Sequence, residues 1–85
     1  MAVETYLYTT RFCPYCVQAK QLLDQKRVQY REISVDGDAG LRAEMMQKSG
    51  QRTVPQIWVG ETHVGGCDDL WALERSGRLD KLLAI

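Results

Sequence analysis

Cys13-Pro14-Tyr15-Cys16 places two thiols two residues apart, a spacing at which they can close to a disulfide and reopen. The attacking species in such exchange is a thiolate, so the surroundings of each sulfur decide its part. The segment before them, Thr5-Tyr6-Leu7-Tyr8-Thr9, is rich in β-branched and aromatic residues and reads as a strand. After them, Cys16, Ala19, Leu22 and Leu23 recur at helical spacing. Cys13 therefore stands at or just before a helix start. Pro14 suits the first helical position, where its missing N–H would have had no intrahelical partner and its fixed φ fits the helix. The unpaired N–H groups of that turn and the positive end of the helix macrodipole favour negative charge on the Cys13 sulfur. Cys16 lies about one turn further in, among apolar neighbours, and is expected to keep its proton. The pair is asymmetric, an attacking thiolate backed by a resolving thiol.

Two other uses of paired cysteines are weaker. As core residues they would need no fixed spacing. A structural zinc site usually has four Cys or His ligands, and beyond the pair this chain offers only Cys67 and His63, one before a helix and the other on a strand pattern. Three cysteines in 85 residues are too few for the disulfide framework of a small secreted domain.

The elements that must hold the thiols can be read along the chain. The first strand covers about Val3 to Thr9, and the helix after the thiols runs to about Lys26. Val28 to Val35 reads as a second strand whose apolar phase changes between Tyr30 and Ile33, marking either a bulge or a twisted edge. Asp36-Gly37-Asp38 is a turn, and Ala39 to Lys48 is helical, with Leu41, Met45 and Met46 on one face as core filler and Ser49-Gly50 as its stop. Pro55 to Val59 is a third strand, turned by Gly60-Glu61 into a short fourth, Thr62 to Val64, which Gly65-Gly66 breaks. A helix opens at Cys67-Asp68-Asp69, runs to about Arg75 and closes at Ser76-Gly77, and Leu79, Leu82 and Leu83 make a last amphipathic turn. A strand, crossover helix and strand imply a parallel right-handed unit, and the closing hairpin adds antiparallel strands. The expected fold is α/β and thioredoxin-like, a four-stranded mixed sheet with helices on both faces.

With 85 residues, 45% of them apolar, one domain over residues 1–85 is expected. Eleven basic and eleven acidic residues balance without a basic cluster, which argues against nucleic acid and a polybasic membrane anchor. Met1-Ala2-Val3-Glu4 lacks the pattern of a signal peptide, and no stretch approaches transmembrane length, so a cytoplasmic monomer is the expectation.

Three segments in register, Cys13-Pro14-Tyr15-Cys16, Thr53-Val54-Pro55 and Gly65-Gly66-Cys67-Asp68-Asp69-Leu70, resemble the glutaredoxin family, close to its small dithiol bacterial members, over nearly the whole chain. The resemblance implies reduction of protein disulfides and protein–glutathione mixed disulfides, with glutathione as cosubstrate and no tightly bound cofactor or metal. Pro55 holds Val54 extended, so that the Thr53-Val54 backbone can pair with a peptide laid across it. Taken alone, Thr-Val-Pro is an ordinary strand start; in the family the proline is cis and the peptide is glutathione. Gly65-Gly66 admits a close backbone approach, and N–H groups near Cys67 and Asp68 can take the γ-glutamyl carboxylate while the Asp68 carboxylate takes the ammonium. Cys67 contributes backbone rather than its thiol, and Asp69 reads as a solvated, dipole-favoured helix residue. Arg52 aligns with a family position that binds the glycyl carboxylate, and Arg42 is a second candidate. Tyr15 can cover the sulfur. The sequence departs from the family pattern at Thr10, where many members carry Lys, and Arg11 is the adjacent candidate to replace it.

The mechanism implied is attack by Cys13 on a disulfide, with resolution either by Cys16 or by glutathione. Two rival readings stand beside it. One is a dimer holding a [2Fe–2S] cluster through Cys13 and two glutathiones, against which Pro14 and the second thiol count. The other is a thioredoxin-like carrier reduced by a flavoenzyme, against which the Gly65-Gly66-Cys67-Asp68 segment counts.

Overall fold

Alternating apolar residues on short strands and apolar stripes on the helices assemble a sheet between two helical layers. The computed structural model describes residues 3–85; Met1 and Ala2, which entered the reading of the N-terminus, lie outside the described residues. The elements follow as β1 (Thr5–Thr9), α1 (Pro14–Gln25), β2 (Tyr30–Ser34), α2 (Ala39–Ser49), β3 (Gln56–Val59), β4 (Thr62–Gly65), α3 (Cys67–Arg75) and α4 (Leu79–Leu83). The sheet order is β2-β1-β3-β4. β1 and β2 are parallel, joined through α1, while β3 runs antiparallel to β1 and β4 antiparallel to β3. This is the expected four-stranded mixed sheet.

Side chains one residue apart on a strand face opposite layers. Leu7 and Ile57 pack with Ala19, Leu22, Leu23, Leu70, Leu79 and Leu83, so α1, α3 and α4 cover one face. Tyr8 and Trp58 pack with Val35 and Met45, so α2 covers the other. Lys26 at the end of α1 ties the first layer together, its Nζ donating to Glu74 Oε1 at 2.7 Å and Asp80 Oδ1 at 2.6 Å. The Asp80 and Glu74 carboxylates raise the Lys26 pKa against the cost of its partial burial. On the other face Tyr6, Trp58 and His63 stack in sequence across β1, β3 and β4, and Lys48 lies over the Trp58 ring at 4.9 Å.

Several local expectations shift. β1 starts at Thr5 rather than Val3, and Val28 belongs to the turn after α1, its N–H donating to the Leu23 carbonyl at 3.0 Å. β2 is an edge strand and carries no bulge: its register with β1 is continuous, and the irregularity lies between Ile57 and Trp58 in the β3–β4 ladder. Met45 is buried, but Met46 is 42% exposed, because α2 presents only a narrow stripe to the sheet. Gly50 closes α2 in the left-handed region. No helix among the described residues is long and apolar enough to cross a membrane.

Candidate active site

The chain leaves β1 at the sheet centre and turns into α1 at Cys13, which is extended (φ −129°, ψ 101°) and caps the helix. Pro14 occupies the first helical position and has no N–H to offer, and the cap bond comes from Cys16, whose N–H donates to Cys13 Sγ at 3.1 Å. The sulfur therefore sits at the positive end of the α1 dipole, where exchange would use its thiolate form as the nucleophile. In its thiol form Cys13 donates to the Val54 carbonyl oxygen at 3.7 Å, across 41 residues of sequence. Cys13 is 9% exposed and Cys16 is 1% exposed, so the first sulfur is the one that solvent reaches. All three cysteines are free thiols. Burial, then the hydrogen bond with Cys13, pushes the Cys16 pKa up to about 12, which keeps it neutral at physiological pH.

Beside Cys13 lies an open cleft of about 180 Å³, lined by Tyr15, Gln51, Thr53, Val54, Pro55, Gly66, Cys67, Asp68 and Asp69. Three chain segments meet there: the first turn of α1, the loop before β3 and the start of α3. The Val54–Pro55 peptide bond is cis, as the resemblance implied, and Pro55 lies just before β3 rather than within it. A larger groove between β4, α3 and α4, near 920 Å³, shares Asp69 but contains no thiol.

The cleft gathers every residue expected there except Arg52. Arg52 is exposed and touches Arg42, whose Nη1 donates to the Arg52 carbonyl oxygen at 3.3 Å. Arg42 thus reaches the same stretch of chain. Arg11, the candidate to replace the missing lysine, is placed beside Asp36, whose Oδ2 accepts its backbone N–H at 2.6 Å and lies 3.6 Å from its Nε. The Cys67 thiol is buried in the core, and burial, with the Asp68 charge beside it, raises its pKa, so what it offers the cleft is backbone. His63 stacks on Trp58 and Cys67 packs against the opposite face, so the sheet separates these two remaining zinc-ligand types.

Asp69 has a more definite part than a solvated helix residue. Its Oδ2 accepts the Gly66 N–H at 3.0 Å, capping α3 and fixing the Gly65-Gly66 backbone at the cleft wall. A Gly followed three residues later by Asp at a helix start carried that signal. Gln51 lines the cleft where Arg52 was expected, and nothing in its local pattern marks it.

Gln56 was also missed. It is fully buried, and its Nε2 donates to the Thr53 carbonyl oxygen (2.9 Å), Thr53 Oγ1 (3.2 Å) and Gln51 Oε1 (3.2 Å). Its Oε1 lies 2.8 Å from His63 Nε2 and accepts from it. One amide therefore holds the cleft-forming loop onto the sheet, and its sequence signal is an amide standing before the apolar run Ile57-Trp58-Val59. Gln56→Leu keeps the volume and strands these partners, so stability should fall by about 1–3 kcal/mol. The thermal midpoint should drop by roughly 4–8 °C per kcal/mol, and the loop amides should shift in NMR spectra while α1 amides do not. An unchanged midpoint and spectrum would show that the loop holds itself.

Comparison with known proteins agrees with this geometry. A family model described as Glutaredoxin matches residues 6–64. The glutaredoxin of Pseudomonas aeruginosa is 64% identical over 78 residues, 92% of this chain and 93% of that protein. Glutaredoxin 3 of Escherichia coli is 52% identical over 77 residues, 91% of this chain and 93% of its own. Among solved structures, the solution structure of glutaredoxin from Brucella melitensis superposes with a TM-score of 0.86 at 51% identity, covering 96% of this chain and 89% of that one. A buckwheat glutaredoxin–glutathione complex superposes with a TM-score of 0.89 at 33% identity, covering 96% and 77%. Matching across most of both lengths, in sequence and in backbone, these relatives establish that the chain belongs to the glutaredoxin family.

Proposed function

We propose that this protein is a glutathione-dependent thiol–disulfide oxidoreductase that reduces protein disulfides and protein–glutathione mixed disulfides. The observation that carries the reading is the asymmetry of the thiols: a Cys13 sulfur accepting a helix N–H at the edge of a cleft, with a neutral, buried Cys16 behind it. The Cys13 thiolate attacks one sulfur of the substrate disulfide. That S–S bond breaks, the leaving sulfur takes up a proton as a thiol, and Cys13 carries the mixed disulfide. Cys16 then loses its proton and attacks Cys13 Sγ, releasing the bound sulfur and closing a Cys13–Cys16 disulfide, or a glutathione thiolate attacks instead. Two glutathione molecules supply the two electrons of the cycle and leave as glutathione disulfide.

Glutathione fits the cleft by its charges and its backbone. The Thr53-Val54 backbone pairs with its cysteinyl unit, and Tyr15, 59% exposed, can cover the Cys13 sulfur. The N–H groups of Cys67 and Asp68 at the start of α3 receive the γ-glutamyl carboxylate, beside the Gly66 N–H that Asp69 already caps, and the Asp68 carboxylate receives the ammonium. Arg52, with Arg42 against its carbonyl, takes the glycyl carboxylate beyond Gln51.

The test is reduction of a small glutathione mixed disulfide and of a protein disulfide, driven either by glutathione with its reductase or by thioredoxin reductase. Activity with the first system alone is expected; activity with the second alone rejects the reading in favour of a thioredoxin-like carrier. Exposed charge contacts are worth about 0.2–1 kcal/mol each, so Asp68→Ala and Arg52→Ala should each raise the glutathione concentration at half-maximal rate by about 1.4- to fivefold. A dependence unchanged in both variants removes these residues from the binding site.

A further inference from the structure

Phe12 is 93% exposed, the most exposed large apolar side chain among the described residues, and it immediately precedes the nucleophile. It belongs to neither core cluster and does not line the cleft beside Cys13. Folding therefore gains little from it, while a phenyl ring in water is unfavourable. Its backbone is nonetheless fixed on both sides. Arg11 N–H is held by Asp36 at 2.6 Å, and the Cys13 carbonyl accepts the first bond of α1 from Val17 N–H at 3.1 Å. A rigid aromatic on an ordered turn, needing little further ordering to be covered, is the kind of side chain that anchors a protein contact.

We propose that Phe12 determines preference for polypeptide disulfides, by packing against apolar side chains that flank the attacked cysteine of a protein substrate. The proposal rests on the oxidoreductase reading above and adds a residue that selects among its substrates. When Cys13 Sγ bonds a polypeptide sulfur and releases the other sulfur as a thiol, the substrate's chain neighbours must pass close to Cys13. Phe12 adjoins Cys13 in the chain and its ring stands in solvent rather than in the core, open to a polypeptide that approaches the sulfur. Glutathione, seated in the cleft between Thr53 and Asp68, leaves the ring uncovered.

The experiment compares the parent, Phe12→Ser and Phe12→Trp, with glutathione and its reductase, on insulin and on the mixed disulfide of glutathione with 2-mercaptoethanol. Phe12→Ser should raise KM for insulin about tenfold, equivalent to about 1.4 kcal/mol of lost apolar contact, with kcat little changed. It should leave the small substrate within about twofold, and Phe12→Trp should behave as the parent on both. Because the side chain is exposed, the thermal midpoint of each variant should match the parent's. Equal losses on both substrates assign Phe12 to the thiol chemistry and overturn the proposal, as does no loss on insulin. A parent that reduces the small disulfide but not insulin overturns the substrate class while leaving the glutathione reading intact. A parent that reduces neither overturns both.

Discussion

Cys13→Ser should abolish exchange on every substrate, by about a thousandfold or more, because a serine hydroxyl has almost no anionic form near neutral pH. The helix N–H that now bonds the sulfur can still bond the serine oxygen, so the fold should survive and the loss should be chemical. Cys16→Ser removes a neutral thiol that is 1% exposed, and with it only the intramolecular resolving step. That variant should reduce glutathione mixed disulfides within about threefold of the parent rate, since a second glutathione can attack the mixed disulfide at Cys13. On protein disulfides that need the dithiol route it should lose most activity. Paired rate assays, with mass spectrometry of the trapped intermediate, separate the outcomes. Glutathione trapped on Cys67, or activity retained by Cys13→Ser, means that another sulfur is the nucleophile.

Gly65→Ala should be the most damaging single methyl group at the cleft. Gly65 has φ +112°, a region that side chains with a β-carbon avoid, and an added β-carbon would run into the Asp69 carboxylate. That carboxylate is not free to retreat, because it caps Gly66 N–H at 3.0 Å. Backbone strain of about 1–3 kcal/mol and a lost cap of about 1 kcal/mol add to roughly 2–4 kcal/mol. For a chain of this size the thermal midpoint should fall by about 10–25 °C. The glutathione concentration needed for half-maximal rate should also rise, because the Cys67 and Asp68 N–H groups turn with the helix start. Gly66→Ala is the control: its β-carbon would lie 3.6 Å from the Pro55 carbonyl oxygen, an ordinary contact. A fall of less than about 3 °C for Gly65→Ala would show that the α3 start adjusts without cost.

What was legible in the sequence was local. The CxxC pair, a strand before it and an apolar helical stripe after it lie within a few residues of one another, and helix caps and strand alternation obey short-range rules. Those rules gave the element order, and the order with right-handed crossover left few ways to build the sheet. The α3 start at Cys67 was read to the residue because two glycines and two acids mark it. Met46 was misplaced because a helical stripe states which residues share a side, and only the packed neighbour states how wide a side is covered.

The cleft needed the assembled sheet. Placing β3 between β1 and β4 brings Val54 against Cys13, 41 residues away, and lets α3 supply the facing wall. Where a polar side chain near the cleft points is set by partners on other elements: Gln56 to His63 on β4, and Arg11 to Asp36 across 25 residues of sequence. Residues 51 and 52 are both polar and adjacent in sequence, yet Gln51 lines the cleft and Arg52 does not. By itself the sequence determined the reactive pair and the order of elements, because short-range sterics and hydrogen bonding specify both. The partners that surround the sulfur were decided by long-range packing, since the contacts that orient them exist only once the sheet has closed.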